Sequence, residues 1–212
     1  MMCFMKCLMV GITLMFLEHF VSEPQRPAAD KREEGRFTSP DGTFTFNYAA
    51  PILKCARDAK QPDRWIPAEC EAYIPVCSNF SAIKDNTIAC VAYPASILKG
   101  TNFEAAAFSV SQVNAATADG CLNAEPNART LRKENVNGVT FTVIETGDAA
   151  AGNLMDGEAY RSFHQNNCYE LDIRIASSNI GNYDPGTVRE FDREAVYRSL
   201  KSVLNTFQFV HS

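Results

Sequence analysis

Six cysteines downstream of an apolar leader constrain this chain more than any other feature. Residues 1–20 read MMCFMKCLMVGITLMFLEHF, in which one lysine, Lys6, precedes an apolar run from Cys7 to Leu17. A positive n-region followed by a short apolar h-region is the pattern of a secretory signal peptide. The run is about half of the ~20 residues that a helix needs to span a bilayer. We place a signal peptide over residues 1–22, with Val21-Ser22 and Pro27-Ala28-Ala29 as candidate cleavage positions. A buried N-terminal helix and an uncleaved membrane anchor are the alternatives. Cys3 and Cys7 belong to this leader and precede or open its apolar run, so neither follows a lipoprotein leader.

Beyond the leader stand Cys55, Cys70, Cys77, Cys90, Cys121 and Cys168. An even count on an exported chain reads as a disulfide framework. Zinc ligands come in close pairs, two to four residues apart. Here six residues separate Cys70 from Cys77 and twelve separate Cys77 from Cys90, with no histidine nearby. A catalytic cysteine needs a base, and outside the leader the chain has only His164 and the penultimate His211. Six cysteines allow fifteen connectivities, among which sequence does not choose. Loop reasoning favours Cys77 with Cys90, closing SNFSAIKDNTIA, and Cys121 with Cys168 across elements, leaving Cys55 with Cys70.

Alternating apolar residues mark the strands. After the turn Pro40-Asp41-Gly42, Phe44, Phe46 and Tyr48 alternate with Thr45 and Asn47. Thr87–Tyr93 is a short apolar strand ended by Pro94. Phe103–Val113 is another, whose alanines allow a helix to pack closely. Asn137-Gly138 turns the chain into Val139, Phe141 and Val143. Residues 147–157, GDAAAGNLMDG, read as a soft connection. Residues 158–164 and 168–176 then form a hairpin around Gln165-Asn166-Asn167. In it Tyr169, Leu171, Ile173 and Ile175 point to the core, and Glu170, Asp172 and Arg174 to solvent. Asp192 caps a terminal helix that buries Val196, Leu200, Val203 and Leu204 and leaves Lys201 outside. Phe207 and Phe209 close the chain as a last strand or tail.

The sum is an α+β domain over residues 37–212: a mostly antiparallel sheet with helices packed on it, disulfide-stapled, with a cysteine-rich insertion at about 55–90. Residues 23–36, EPQRPAADKREEGR, are a charged, proline-containing spacer.

The net charge of −5 and scattered basic residues argue against nucleic acid as a partner. Membrane contact is expected only through an uncleaved leader. The chain carries no phosphate loop, dinucleotide fingerprint, nucleophile elbow or H-E-x-x-H, and no cofactor or metal is expected. Arg64 and Trp65 are binding-surface candidates, because both residue types are enriched in interface hot spots. Tyr160 and His164, near the proposed hairpin turn, are two more. Carboxylate pairs such as Asp148 with Asp156, or Glu170 with Asp172, are of the type that serves a hydrolase, although two acids on one strand face usually are simply solvated.

Three stretches carry a resemblance. FTSPDGTFTFNYAAP is a strand entered through a turn and ending at proline. VNGVTFTVIETGDAAAG followed by AYRSFHQNNCYELDIRI leads a strand into a hairpin. LNTFQF ends the terminal helix. In this order the chain resembles the Mog1/PsbP-like group over most of residues 37–209. The resemblance implies an antiparallel sheet sandwiched by helices and a binding or assembly role. The segment Cys55–Cys90 departs from that pattern, and no site residue carries over. The expected function is an exported, non-catalytic binding or accessory domain of the cell envelope or extracellular space, with a protein or small-molecule partner. A carboxylate-type hydrolase is the alternative, and a redox or metal protein using the cysteines is a third reading.

Overall fold

Strands dominate because the alternating segments find partners on both sides. The computed structural model describes residues 34–70, 75–78, 86–113, 115, 117–122 and 130–210. The leader and most of the spacer therefore lie outside the described residues. In chain order the elements are β1 (Glu34–Thr38), β2 (Phe44–Ala49), β3 (Leu53–Lys54), β4 (Ala56–Arg57), β5 (Trp65–Ile66), β6 (Thr87–Tyr93) and β7 (Phe103–Val113). Then come α1 (Ala118–Leu122), β8 (Thr130–Val136), β9 (Val139–Ala150), β10 (Asn153–His164), β11 (Asn167–Ser178), α2 (Arg193–Leu204) and β12 (Gln208–Phe209). Seven strands form one sheet in the order β3-β6-β7-β11-β10-β9-β8, and every neighbouring pair is antiparallel. β1-β2-β12 form a second sheet, and β4-β5 a short ribbon.

One face of the large sheet carries the main core. Phe108 and Val110 of β7, Phe141 and Val143 of β9, and Leu171, Ile173 and Ile175 of β11 pack with Val196, Leu200, Val203 and Leu204 of α2. Phe44 and Phe46 of β2 join them: Phe46 meets Phe108 edge-on at 5.2 Å and Phe44 lies 5.4 Å from Phe207. α2 begins as its sequence requires, with the Asp192 carboxylate accepting from the Ala195 amide at 2.9 Å.

The other face has a cover of its own. Cys55, Trp65, Cys70, Val76 and Cys77 from the cysteine-rich segment pack on Cys90, Ala92, Ala105, Ala107 and Ala176 of the sheet. Two disulfides, Cys55–Cys70 and Cys77–Cys90, staple this cover and a third, Cys121–Cys168, ties α1 to β11; their Cα separations of 5.9, 5.6 and 5.5 Å are all in the range a disulfide spans. These are the pairings that loop reasoning favours. They fit an oxidising compartment. The small Ala105 and Ala107 side chains thus admit the cysteine-rich segment, while α2 packs on the opposite face of the same strand, with Ala106, Phe108 and Val110, as its alanines lead one to expect. Among the described residues no helix is long and apolar enough to cross a membrane.

Four expectations need correction. β1 starts at Glu34, inside the segment read as spacer, because β2 gives residues 34–38 a hydrogen-bonding edge. Residues 147–157 are not a soft connection: β9 runs to Ala150 and β10 starts at Asn153, joined by a two-residue turn at Ala151-Gly152 with φ of 51° and 82°. Those angles are the primed-turn geometry of a tight hairpin, and alanine is an unusual residue to supply it. Gly157 lies within β10, where a Cβ would come 1.8 Å from the Ile173 carbonyl oxygen. Its lack of a side chain is what lets β10 and β11 approach. Third, Glu170, Asp172 and Arg174 do not reach solvent; they are 0%, 0% and 4% exposed beneath the second cover. Fourth, Lys201 is not an outer helix residue but reaches across to β8.

Candidate functional site

β9 and β10 run as a ladder from the Ala151-Gly152 turn as far as Thr142–Arg161, and there the pairing ends. Extending that register would set Phe141 opposite Ser162 and Val139 opposite His164. Each strand instead stays with its other neighbour: Val139–Phe141 pair with β8, and Ser162–His164 with β11. The two strands therefore fork. The fork opens an exposed groove of about 450 Å³ lined by Asn137, Gly138, Val139, Thr140, Ser162, Phe163, His164 and Phe209.

The walls of the groove are fixed from below. The His164 ring stacks on Phe209, with centroids 3.8 Å apart and planes at 7°. Phe209 is itself held edge-on by Tyr169 and Phe207, at 5.0 and 5.2 Å. At the opposite lip the Asn137 side-chain amide donates to the carbonyls of Asn205 and Phe207, at 2.9 and 2.8 Å. This anchors the β8–β9 turn to the end of α2. The positive φ values at Asn137 and Gly138 fit the sequence signal for that turn.

A second polar cluster lies farther along β10 on the same sheet face. Arg132 of β8 donates in a fork to both Glu158 carboxylate oxygens, at 2.7 and 2.8 Å. The Tyr160 and Tyr197 hydroxyls both donate to Glu158 Oε2. Tyr160 in turn accepts from Lys201 Nζ at 2.7 Å and from Arg132 at 3.1 Å, while Lys201 also pairs with Glu134. Both tyrosine protons are thus committed to Glu158, so the 3.1 Å approach of the two hydroxyls to one another is a packing contact. Burial alone would push the Glu158 carboxyl up; the bonds from Arg132, Tyr160 and Tyr197 outweigh it and bring the pKa down to about 2. The same environment raises both phenols, Tyr197 to about 12, with burial the leading cause.

The buried layer on the far face of the sheet is a third charged group. Arg161 Nε donates to Glu170 at 2.7 Å, with both side chains fully buried. Arg174 reaches the Ser78 hydroxyl at 3.0 Å and lies 3.9 Å from Asp172. Burial first, and then the neighbouring Glu170, push the Asp172 carboxyl well above its usual range.

The four binding-surface candidates do not converge. Arg64 is exposed and Trp65 is buried, with the Arg57 guanidinium 4.0 Å over its ring. Trp65 is therefore a core residue of the second cover, because a large apolar ring beside a disulfide pair gains more from burial than from exposure. Tyr160 is likewise buried, and its hydroxyl serves the Glu158 cluster. His164 lines the groove at the β9–β10 fork. Of the carboxylate pairs, Asp148 and Asp156 sit on opposite faces of the β9–β10 ladder. Glu170 and Asp172 share one face but are sealed within it. The Cys55, Cys77 and Cys90 sulfurs lie within 4.8 Å of one another, which is metal-ligand spacing. All three are bound in disulfides, and a disulfide sulfur lacks the thiolate charge that a metal takes up.

No protein-family model matches the chain. No curated protein matches it either. A solved structure from Bacteroides thetaiotaomicron, 9% identical, matches with a TM-score of 0.43 over 84% of this chain and 48% of its own. The chain thus spans about half the length of that protein.

Proposed function

We propose that this protein is an exported, non-catalytic binding domain whose ligand is a small molecule with a planar ring, seated in the fork between β9 and β10. The observation that carries this reading is the early end of the β9–β10 ladder beside the His164–Phe209 stack. A half-buried imidazole held flat by a phenyl ring offers a planar surface, and aromatic stacking rewards a flat partner. The Ser162 and Thr140 side chains line the same groove and supply hydroxyls for orientation. A volume of about 450 Å³ suits a small molecule.

Export rests on the leader pattern and on three disulfides. An accessory role also agrees with the Mog1/PsbP-like order of strand, hairpin and terminal helix. The hydrolase alternative has less to rest on. Glycoside-type hydrolysis needs two carboxyls converging on one bond. Glu170 and Asp172 are sealed from substrate, and Glu158, on the opposite face, is committed to Arg132 and two tyrosines.

Soaking crystals of the exported protein with planar heteroaromatic fragments tests the reading. Density stacked on His164 is the expected result. Fragments that bind elsewhere and leave the fork empty contradict it.

A further inference from the structure

Two of the three disulfides are neighbours. Cys55–Cys70 and Cys77–Cys90 both belong to the second cover, and all four sulfur-bearing residues are at most 4% exposed. The Cys55 sulfur lies within 4.8 Å of both sulfurs of the Cys77–Cys90 bond. The backbone explains why. Leu53 pairs with Ala92 and Lys54 with Val91, so the next pair in register is Cys55 with Cys90. The Cys55 amide indeed donates to the Cys90 carbonyl at 3.0 Å. Cys55 and Cys90 are thus cross-strand neighbours, each bonded elsewhere. Directly opposed residues of an antiparallel pair have Cα atoms about 4.5–5.5 Å apart, inside the range a disulfide spans.

We propose that these two bonds form a thiol-exchange site, in which reduction of Cys55–Cys70 by a small dithiol is passed on to Cys77–Cys90. The dithiol's thiolate attacks Cys70 Sγ, forming a mixed disulfide and expelling Cys55 as a thiolate. The dithiol's second thiol then closes on the mixed disulfide and leaves as a cyclic disulfide, with Cys70 as a thiol. The Cys55 thiolate attacks Cys90 Sγ, forming Cys55–Cys90 and expelling Cys77, which takes a proton from water. One dithiol is oxidised by two electrons, and the protein ends with one bond fewer. The second attack is intramolecular and draws on a high effective concentration. The first needs local opening of the cover to admit the dithiol.

The exchange changes what is stapled. In the oxidised protein both bonds tie the segment between β3 and β6. After exchange the single bond locks β3 to β6 at the sheet edge, and Cys70 and Cys77 hold nothing. Pro75 and Ser78, which Arg174 contacts, lie next to the released Cys77. The buried layer of Arg161, Glu170, Asp172 and Arg174 then loses the staple that holds its cover. A small dithiol would in this way act as a signal that loosens one face of the domain while leaving the α2 face intact.

The test is partial reduction of the full oxidised protein with limiting dithiothreitol, followed by rapid alkylation and peptide mapping. The expected product is a Cys55–Cys90 peptide pair with alkyl groups on Cys70 and Cys77, while Cys121–Cys168 stays bonded. Thiols that appear only as the native partners, Cys55 with Cys70 or Cys77 with Cys90, overturn the proposal. So does loss of both bonds together with no crossed peptide. The Cys70→Ser variant provides a second arm without added reductant. It should distribute its free thiol between Cys55 and Cys77. A free thiol confined to Cys55 in the folded variant contradicts the exchange.

Discussion

Tyr197 of α2 donates its hydroxyl proton to the Glu158 carboxylate of β10, so a charge-assisted bond ties the helix to the sheet at the edge of their apolar contact, beside the Lys201–Glu134 pair. Arg132 and Tyr160 complete the ring of donors, and Glu158 is held as a carboxylate. Its depressed pKa makes the bond pH-dependent. A carboxyl titrating near 2 in the folded protein, and near its ordinary 4.5 when unfolded, contributes stability above pH 4.5. That contribution is lost as pH falls through about 2. After allowance for solvent screening it is worth about 2–3 kcal/mol at neutral pH. Glu158→Gln should therefore cost about this much in urea unfolding at pH 7, and the gap to the wild type should close towards pH 2. A gap that stays constant across that window contradicts the assignment.

Asp172 works in the opposite sense. Its folded pKa is raised above the unfolded 3.8, so the stability it contributes is complete below 3.8 and is lost as pH rises towards the folded value. Asp172→Asn keeps the neutral shape without that loss. The variant should match the wild type near pH 3 and become progressively more stable than it up to pH 7. Melting curves across the range check this; a variant less stable at pH 7 than at pH 3, relative to wild type, defeats it.

On α2, three positions separate core, network and solvent. Leu200 is fully buried, and Leu200→Ala should cost about 2–5 kcal/mol. Lys201 bonds Glu134 and Tyr160, so Lys201→Ala should cost about 1 kcal/mol. Among the described residues Arg198 reaches only Glu194, with more than half of each side chain exposed, and Arg198→Ala should stay within about 0.5 kcal/mol. Chemical unfolding ranks them; Lys201→Ala falling level with Arg198→Ala would show that its contacts carry no stability.

Much of the fold was legible because its strongest signals are local. Asp192 and the Val196–Leu200–Val203 spacing mark α2, and Asn137-Gly138 and Gln165-Asn166 mark two hairpin turns. Ala151-Gly152 escaped notice because alanine seldom takes a positive φ. Alternation in β11 correctly identified the apolar face. It misassigned Glu170, Asp172 and Arg174, since polar side chains read as solvated unless the sequence also reveals what covers them. The cover here comes from Cys55, Trp65, Cys70 and Pro75–Ser78, about a hundred positions away. The Glu158 cluster was invisible for the same reason: β8, β10 and α2 bring Arg132, Glu158, Tyr160, Tyr197 and Lys201 together only after the sheet order is known. Two faint local signs exist, Glu158 and Tyr160 on one strand face, and Tyr197 and Lys201 one helical turn apart. His164 was legible as a turn histidine, whereas its stack on Phe209 depends on β12 reaching β2.

The groove supplies the most direct test of the whole account. Indole titrated into isotope-labelled protein should shift the backbone amide signals of Asn137–Thr140, Ser162–His164 and Phe209, and His164→Ala should abolish those shifts while leaving the rest of the spectrum in place. Shifts that fall outside the fork, or that persist undiminished in His164→Ala, would show that the fork is not where this protein binds.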